Sequence, residues 1–157
     1  MQKITPCLWF NKNAEEAAKF YVSVFPQSKM GKTVYYTEEG AKVSGMKKGD
    51  VMAITYRLNG HDFMAINGGP VFQLSEAVSF FIACKDQKEI DYYWTHLTKG
   101  GQGQPCGWVK DKFGLSWQIV PESMEKMMSS KNSAAMLAEL YQMTKIDLKK
   151  LEQAAEE

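Results

Sequence analysis

The only thiols and imidazoles in the chain are Cys7, Cys84 and Cys106, with His61 and His96. A structural zinc site needs about four such donors, usually in closely spaced pairs, and no two of these cysteines are near in sequence. Their odd number also argues against a disulfide framework, so buried free thiols are expected. Cys106 has no neighbouring histidine to activate it as a nucleophile. Asp111, in the run Lys110-Asp111-Lys112-Phe113-Gly114, has the chemistry of a general base if its carboxylate points inward; otherwise the run reads as a solvated turn. Gly68-Gly69 and Gly101-Gln102-Gly103 are the glycine-rich segments. A nucleotide cradle lies between a strand and a helix, whereas the first pair ends a strand and the second follows a helix. The amides of Asn67 and Gln118 remain as groups able to orient a small ligand.

The elements that must carry these residues repeat. Asn13 and Glu16 have the spacing of an N-cap and its N3 partner, and Asp86 and Glu89 restate it 73 residues later. Ala17, Phe20, Tyr21 and Val24 form one helical stripe; Ile90, Tyr93, Trp94 and Leu97 form its counterpart. A short apolar strand precedes each helix, over 3–10 and 77–84. Strands are expected after the first helix at Lys32–Thr37, Val51–Leu58 and Asp62–Asn67, with Asn59-Gly60 as a hairpin turn. In the second half Trp108–Lys110 and Leu115–Val120 read as a hairpin, stopped by Pro121. A tail follows with helical spacing over Glu122–Met128, Ser133–Met143 and Asp147–Ala155. Asp147 is positioned to cap the last helix, with Ile146 as a staple. Met124, Met127, Met128, Met136 and Met143 suit either core packing or a partner surface.

The chain has 157 residues, 45% apolar and 24% charged, the composition of one folded domain. Lys+Arg 19 against Asp+Glu 18 leaves a net charge of +1, which argues against a nucleic-acid binder. No apolar run is long enough to cross a bilayer, and the opening MQKITPCLWFNKN lacks the features of a signal peptide. The expected location is the cytoplasm, with no membrane partner.

The opening ITPCLWFNKNAEEAAKFYVSVFP, the middle FMAINGGP, the segment GWVKDKFGLSWQIVP and the KIDLKKLEQA tail resemble the glyoxalase/bleomycin-resistance (vicinal oxygen chelate) superfamily. More narrowly they resemble the PhnB-like group labelled 3-demethylubiquinone-9 3-methyltransferase. The resemblance implies an α+β fold of paired βαβββ modules with curved sheets around a cleft. A domain over 1–121, with halves of about 1–70 and 71–121, is then followed by a helical extension over 122–157. A homodimer is implied as the working unit.

Strand alternation under that fold assigns Trp9, Phe63, Ala65, Phe80, Ile82, Trp117 and Ile119 to the helix-facing core. Leu8, Met64, Ile66, Phe81, Ser116 and Gln118 are assigned to the cleft. Metal-dependent members of the superfamily carry His, Glu or Gln at four cleft positions, which correspond here to Pro6, Met64, Ser79 and Gln118. That set offers one amide and no strong ligand for a hard divalent ion, so no metal and no cofactor are expected. The expected function is metal-independent binding of a small organic molecule, aromatic or antibiotic-like. Leu8, Met64, Asn67, Phe81, Trp108, Lys110, Asp111, Phe113 and Gln118 are its candidate contacts. No catalytic residue is assigned. The alternatives are an enzyme, either the methyltransferase of the family label or a metal-assisted lyase, isomerase or dioxygenase, and a non-catalytic interaction module using the methionine-containing tail.

Overall fold

A computed structural model describes residues 3–156; Met1, Gln2 and Glu157, which the regions expected from sequence include, lie outside the described residues. The chain divides into two compact units, the first ending at Leu74 and the second beginning at Ser75 and including the whole tail.

The first unit runs β1 (Cys7–Phe10), α1 (Ala14–Val24), β2 (Lys29–Tyr35), α2 (Glu38–Ser44), β3 (Val51–Leu58) and β4 (His61–Asn67). Its sheet has the order β1-β4-β3-β2, with β1 parallel to β4 and the other pairs antiparallel. The second unit runs β5 (Ser79–Cys84), α3 (Gln87–Leu97), β6 (Gln102–Gly103), a 3-10 turn (Pro105–Gly107), β7 (Trp108–Lys110) and β8 (Ser116–Pro121). Its order, β5-β8-β7-β6, repeats the first, including the single parallel pair. This is the α+β pair of βαβββ units expected from sequence.

Each sheet buries one face under its own helix. Ala14, Ala17 and Ala18 are fully buried and let α1 approach closely, while Tyr21 stacks on Tyr56 and Tyr56 on Phe63. The same face carries Leu8, Ile54 and Ala65, joined through the ladder and all buried. This corrects the assignment of β1: Leu8 belongs to the core, and Trp9 lies on the face turned away from α1. In the second unit Ile82, Cys84, Trp117 and Ile119 are buried, and Phe80 packs on Trp117, as alternation predicts.

Helix α2 was not expected. Thr37 caps it by accepting from the Gly40 N–H, and Gly45 ends it in the left-handed region at φ 72°. The strand expected at Lys32–Thr37 runs instead over Lys29–Tyr35, ending two residues earlier, and Ala41 of α2 joins Tyr36 and Met46 in a small satellite core.

The tail forms α4 (Met124–Met128), α5 (Ser133–Gln142) and α6 (Leu148–Glu156). Met124, Met127, Met136, Leu140, Ile146 and Leu151 are buried. Three of the methionines weighed as a partner surface therefore pack inside the fold, and Met128 is exposed. Asp147 accepts from the Lys150 N–H, capping α6. The α5–α6 connection pairs with the 3-10 turn: the Cys106 and Gly107 N–H groups donate to the Met143 and Thr144 carbonyls at 2.8 Å.

Candidate functional site

On the face of the second sheet turned away from α3, three of the candidate contacts stand in one row. Phe81 pairs with Gln118 across β5 and β8, and Gln118 pairs with Trp108 across β8 and β7. The next row is Ser79, Ser116 and Lys110. Gln118 Nε2 donates to Ser79 Oγ at 2.9 Å. Lys110 Nζ and Gln104 Nε2 both donate to Glu76 Oε1 at 3.1 Å. The Glu76 carboxyl is held below its usual range by its own backbone hydrogen bond and then by Gln104 and Lys110. Ser116 Oγ is buried without a hydrogen bond among the described residues. Chemically the face offers two aromatic rings, one anchored amide and a cation balanced by a carboxylate.

The other candidates lie elsewhere. Asp111 is 4% exposed and follows Lys110 in the alternation, so it turns to the helix side. Its Oδ1 accepts from the Phe113 and Leu115 N–H groups at 2.8 and 3.1 Å, and its Oδ2 from Trp117 Nε1 at 2.8 Å. The inward carboxylate needed for a general base is thus turned into the core, where it organises the β7–β8 turn. Phe113 sits in that turn, with Lys112 Nζ 4.8 Å from its ring centroid, and is outside the strand rows. Asn67 is also buried on the helix side. Its Oδ1 accepts from the Ala14 N–H at 2.9 Å, and its Nδ2 donates to the Val51 carbonyl at 3.0 Å. Both halves of the amide are engaged within the first unit, and Leu8 is in the core.

In the first unit Met64 lines a cavity of about 410 Å³ together with Met30, Thr55, Arg57, Asp62 and Lys29. Arg57 Nε and Nη2 both reach Asp62 Oδ1 at 2.7 Å. Sequence reasoning missed this pair, although the Asn59-Gly60 hairpin signal fixes residue 57 opposite residue 62.

A divalent metal does not fit the carried positions. Met64 and Gln118 supply a thioether and an amide, and the Ser79 hydroxyl is already bonded to that amide. Pro6 has no side-chain donor, and its strand counterpart is Phe80, since Leu8 matches Ile82 in the ladders. Among the described residues no group of three or more His, Cys, Asp or Glu is placed to hold an ion. His96 Nδ1 lies 2.7 Å from the Tyr92 carbonyl, and His61 is exposed at the start of β4.

A methyl-donor nucleotide does not fit the glycine segments either. The Trp9 indole lies so close to Gly68 that any β-carbon there would fall about 2.1 Å from the ring, and Trp9 Nε1 donates to the Gly69 carbonyl at 3.0 Å. The Trp94 ring covers Gly103 in the same manner. These glycines accommodate indoles.

Comparison with known proteins gives a family. The family described as 3-demethylubiquinone-9 3-methyltransferase matches residues 2–120. A Bacillus cereus PhnB protein, whose structure carries the same methyltransferase description, is 35% identical over 76% of this chain and 98% of its own, with a TM-score of 0.64. Protein PA1353 from Pseudomonas aeruginosa shares the fold at 20% identity and a TM-score of 0.61, covering 77% of this chain and 97% of its own. An Arabidopsis thaliana gene product does so at 18% and 0.50, covering 78% and 99%. No curated protein matches the chain. On the family match and the Bacillus cereus relative together, this chain belongs to the PhnB-like family described as 3-demethylubiquinone-9 3-methyltransferase.

Proposed function

We propose that the protein binds a small aromatic molecule, without a metal, on the open face of its second sheet. The observation that carries this reading is the row Phe81–Gln118–Trp108, which sets an amide between two aromatic side chains across three strands. Phe81 is 60% exposed, an apolar surface that a flat ligand would cover. Rings supply most of the affinity in such sites, and sparse polar groups set the orientation. The donor set argues against metal-assisted lyase, isomerase or dioxygenase chemistry, and the indole-filled glycine segments argue against methyl transfer from a nucleotide donor.

The test is titration of the full chain with a library of aromatic metabolites and antibiotic-like compounds, read by tryptophan fluorescence and thermal shift. Trp108→Ala and Gln118→Ala each weaken a hit by about tenfold or more, the equivalent of about 1.4 kcal/mol. Stoichiometric metal in the purified protein, or calorimetric binding of a methyl donor, would restore the enzyme readings. We also propose a homodimer working in the cytoplasm, the first checked by sedimentation and the second by fractionation. No helix among the described residues is long and apolar enough to cross a membrane.

A further inference from the structure

The cavity of the first unit has its own chemistry. Its volume of about 410 Å³ falls in the range of small-molecule sites, roughly 300–1,000 Å³. Met64, on the same sheet face as Arg57 and Asp62, gives it an adaptable apolar wall. Arg57 stands on β3 directly opposite Lys29 on β2 and opposite Asp62 on β4, so two cations and one acid share the lining. Asp62 takes the Nε and Nη2 groups of Arg57 on a single oxygen, which fixes the plane of the guanidinium. Among the described residues Nη1 makes no hydrogen bond, leaving the Nη1–Nη2 edge of the fork for a planar two-oxygen acceptor. In the second unit the ladder counterpart of Arg57 is Lys110, which faces Ser116 and pairs instead with Glu76, ahead of β5.

We infer that this cavity recognises the carboxylate of a small organic acid, with Arg57 as the binding residue, Asp62 as its positioning residue, and Met64 receiving the apolar body. The excess of cationic over acidic lining favours an anion. The fork geometry selects a carboxylate, and the Met64 wall favours an acid with a hydrocarbon part over an inorganic anion. The inference concerns the first unit and stands apart from the reading of the Phe81–Trp108 face.

The experiment is titration of the full chain with benzoate and hexanoate, against benzamide and inorganic phosphate, by calorimetry and by NMR. Both acids bind saturably, and benzamide and phosphate bind at least about tenfold more weakly. Arg57→Gln loses at least about tenfold in affinity, and Arg57→Lys does so too, because an ammonium cannot offer the fork. Asp62→Asn keeps an acceptor for Arg57 and removes the competing charge, so it binds the acids at least as tightly as the parent. Circular dichroism confirms that each variant is folded, and Arg57→Lys stands in if Arg57→Gln is not. Hexanoate, which has no ring for the Phe81–Trp108 face, shifts the NMR signals of first-unit residues around Arg57. The inference is overturned if neither acid binds at millimolar concentration, if benzamide or phosphate matches the acids, or if the folded arginine variants bind like the parent. Hexanoate shifts confined to the second unit overturn it as well.

Discussion

Asp111 gives the sharpest separation between a group that holds the fold and one that handles a ligand. Its carboxylate is buried and accepts three donors, two from the turn backbone and one from the Trp117 indole. A hydrogen bond to a charged acceptor contributes about 1.5–3 kcal/mol, and a buried group left without its partner costs about 1–3 kcal/mol. These terms overlap, since the turn relaxes and water reaches part of it. Asp111→Ala is therefore expected to lose about 3–5 kcal/mol, below the simple sum. Asp111→Asn keeps an oxygen for the Phe113 and Leu115 N–H groups but sets an N–H₂ against Trp117 Nε1, donor against donor. Its expected cost is about 2–3 kcal/mol. Trp117→Phe removes that indole donor, so Asp111→Asn should cost about 1–2 kcal/mol less in the Trp117→Phe background. Urea denaturation followed by circular dichroism measures all four corners of the cycle. Affinity for any aromatic ligand found on the Phe81–Trp108 face stays within about twofold of the parent for every folded variant. An Asp111→Ala loss below about 1 kcal/mol, or a zero coupling to Trp117, would refute the structural role.

Asn67→Leu orphans the Ala14 N–H and the Val51 carbonyl, and urea denaturation should show a loss of about 2–4 kcal/mol with no specific effect on ligand affinity. The Cys84 thiol is pushed up to about 12 by burial and then by Glu89, Asp86 and Glu122. It stays neutral in the folded protein, so its contribution to stability is complete below the ordinary value of 9.0 and is lost as pH rises from there towards about 12. Cys84→Ala should flatten that part of the stability–pH curve relative to the parent, and in the native parent a thiol reagent at pH 8 should reach Cys84 only at the rate of unfolding. Ile146 is fully buried where the tail meets the 3-10 turn, and Ile146→Ala should cost about 2–5 kcal/mol by thermal or urea unfolding. An effect below about 1 kcal/mol would show that the tail is not part of the second unit's core.

The legible part of the fold came from periodicity, and the exchanged faces of β1 came from one extra residue. The stripes of α1 and α3 are 73 residues apart, and applying that offset to the strands would match Pro6 with Ser79. The connection from β1 to α1 has three residues and that from β5 to α3 has two, so the strands match one residue further along: Leu8 with Ile82 and Phe10 with Cys84, all four buried. Alternation has a period of two, so a one-residue error in β1 exchanges its faces, which is why Leu8 and Trp9 were interchanged. The same residue changes how the helix is capped. Asp86 has the extended backbone of an N-cap and accepts from the Glu89 N–H at 2.9 Å, while Glu89 Oε2 accepts from the Lys85 N–H. Asn13 sits at φ −113° and ψ 23°, outside that region, and its side chain caps nothing. The Ala14 N–H is met instead by Asn67, from the far end of β4. A polar residue that looks like a free ligand contact in sequence is thus a long-range replacement for a local cap. Asp111 misleads in a similar way: alternation from Trp108 and Lys110 already puts it on the helix side, but an acid is credible there only once its three donors are seen. The open-face row was legible because Phe81, Trp108 and Gln118 obey simple alternation within strands that contain no bulge. Arg57 and Asp62 were legible in principle from the Asn59-Gly60 turn, and what hid them was that an exposed cross-strand ion pair reads as ordinary surface until the cavity beside it is known.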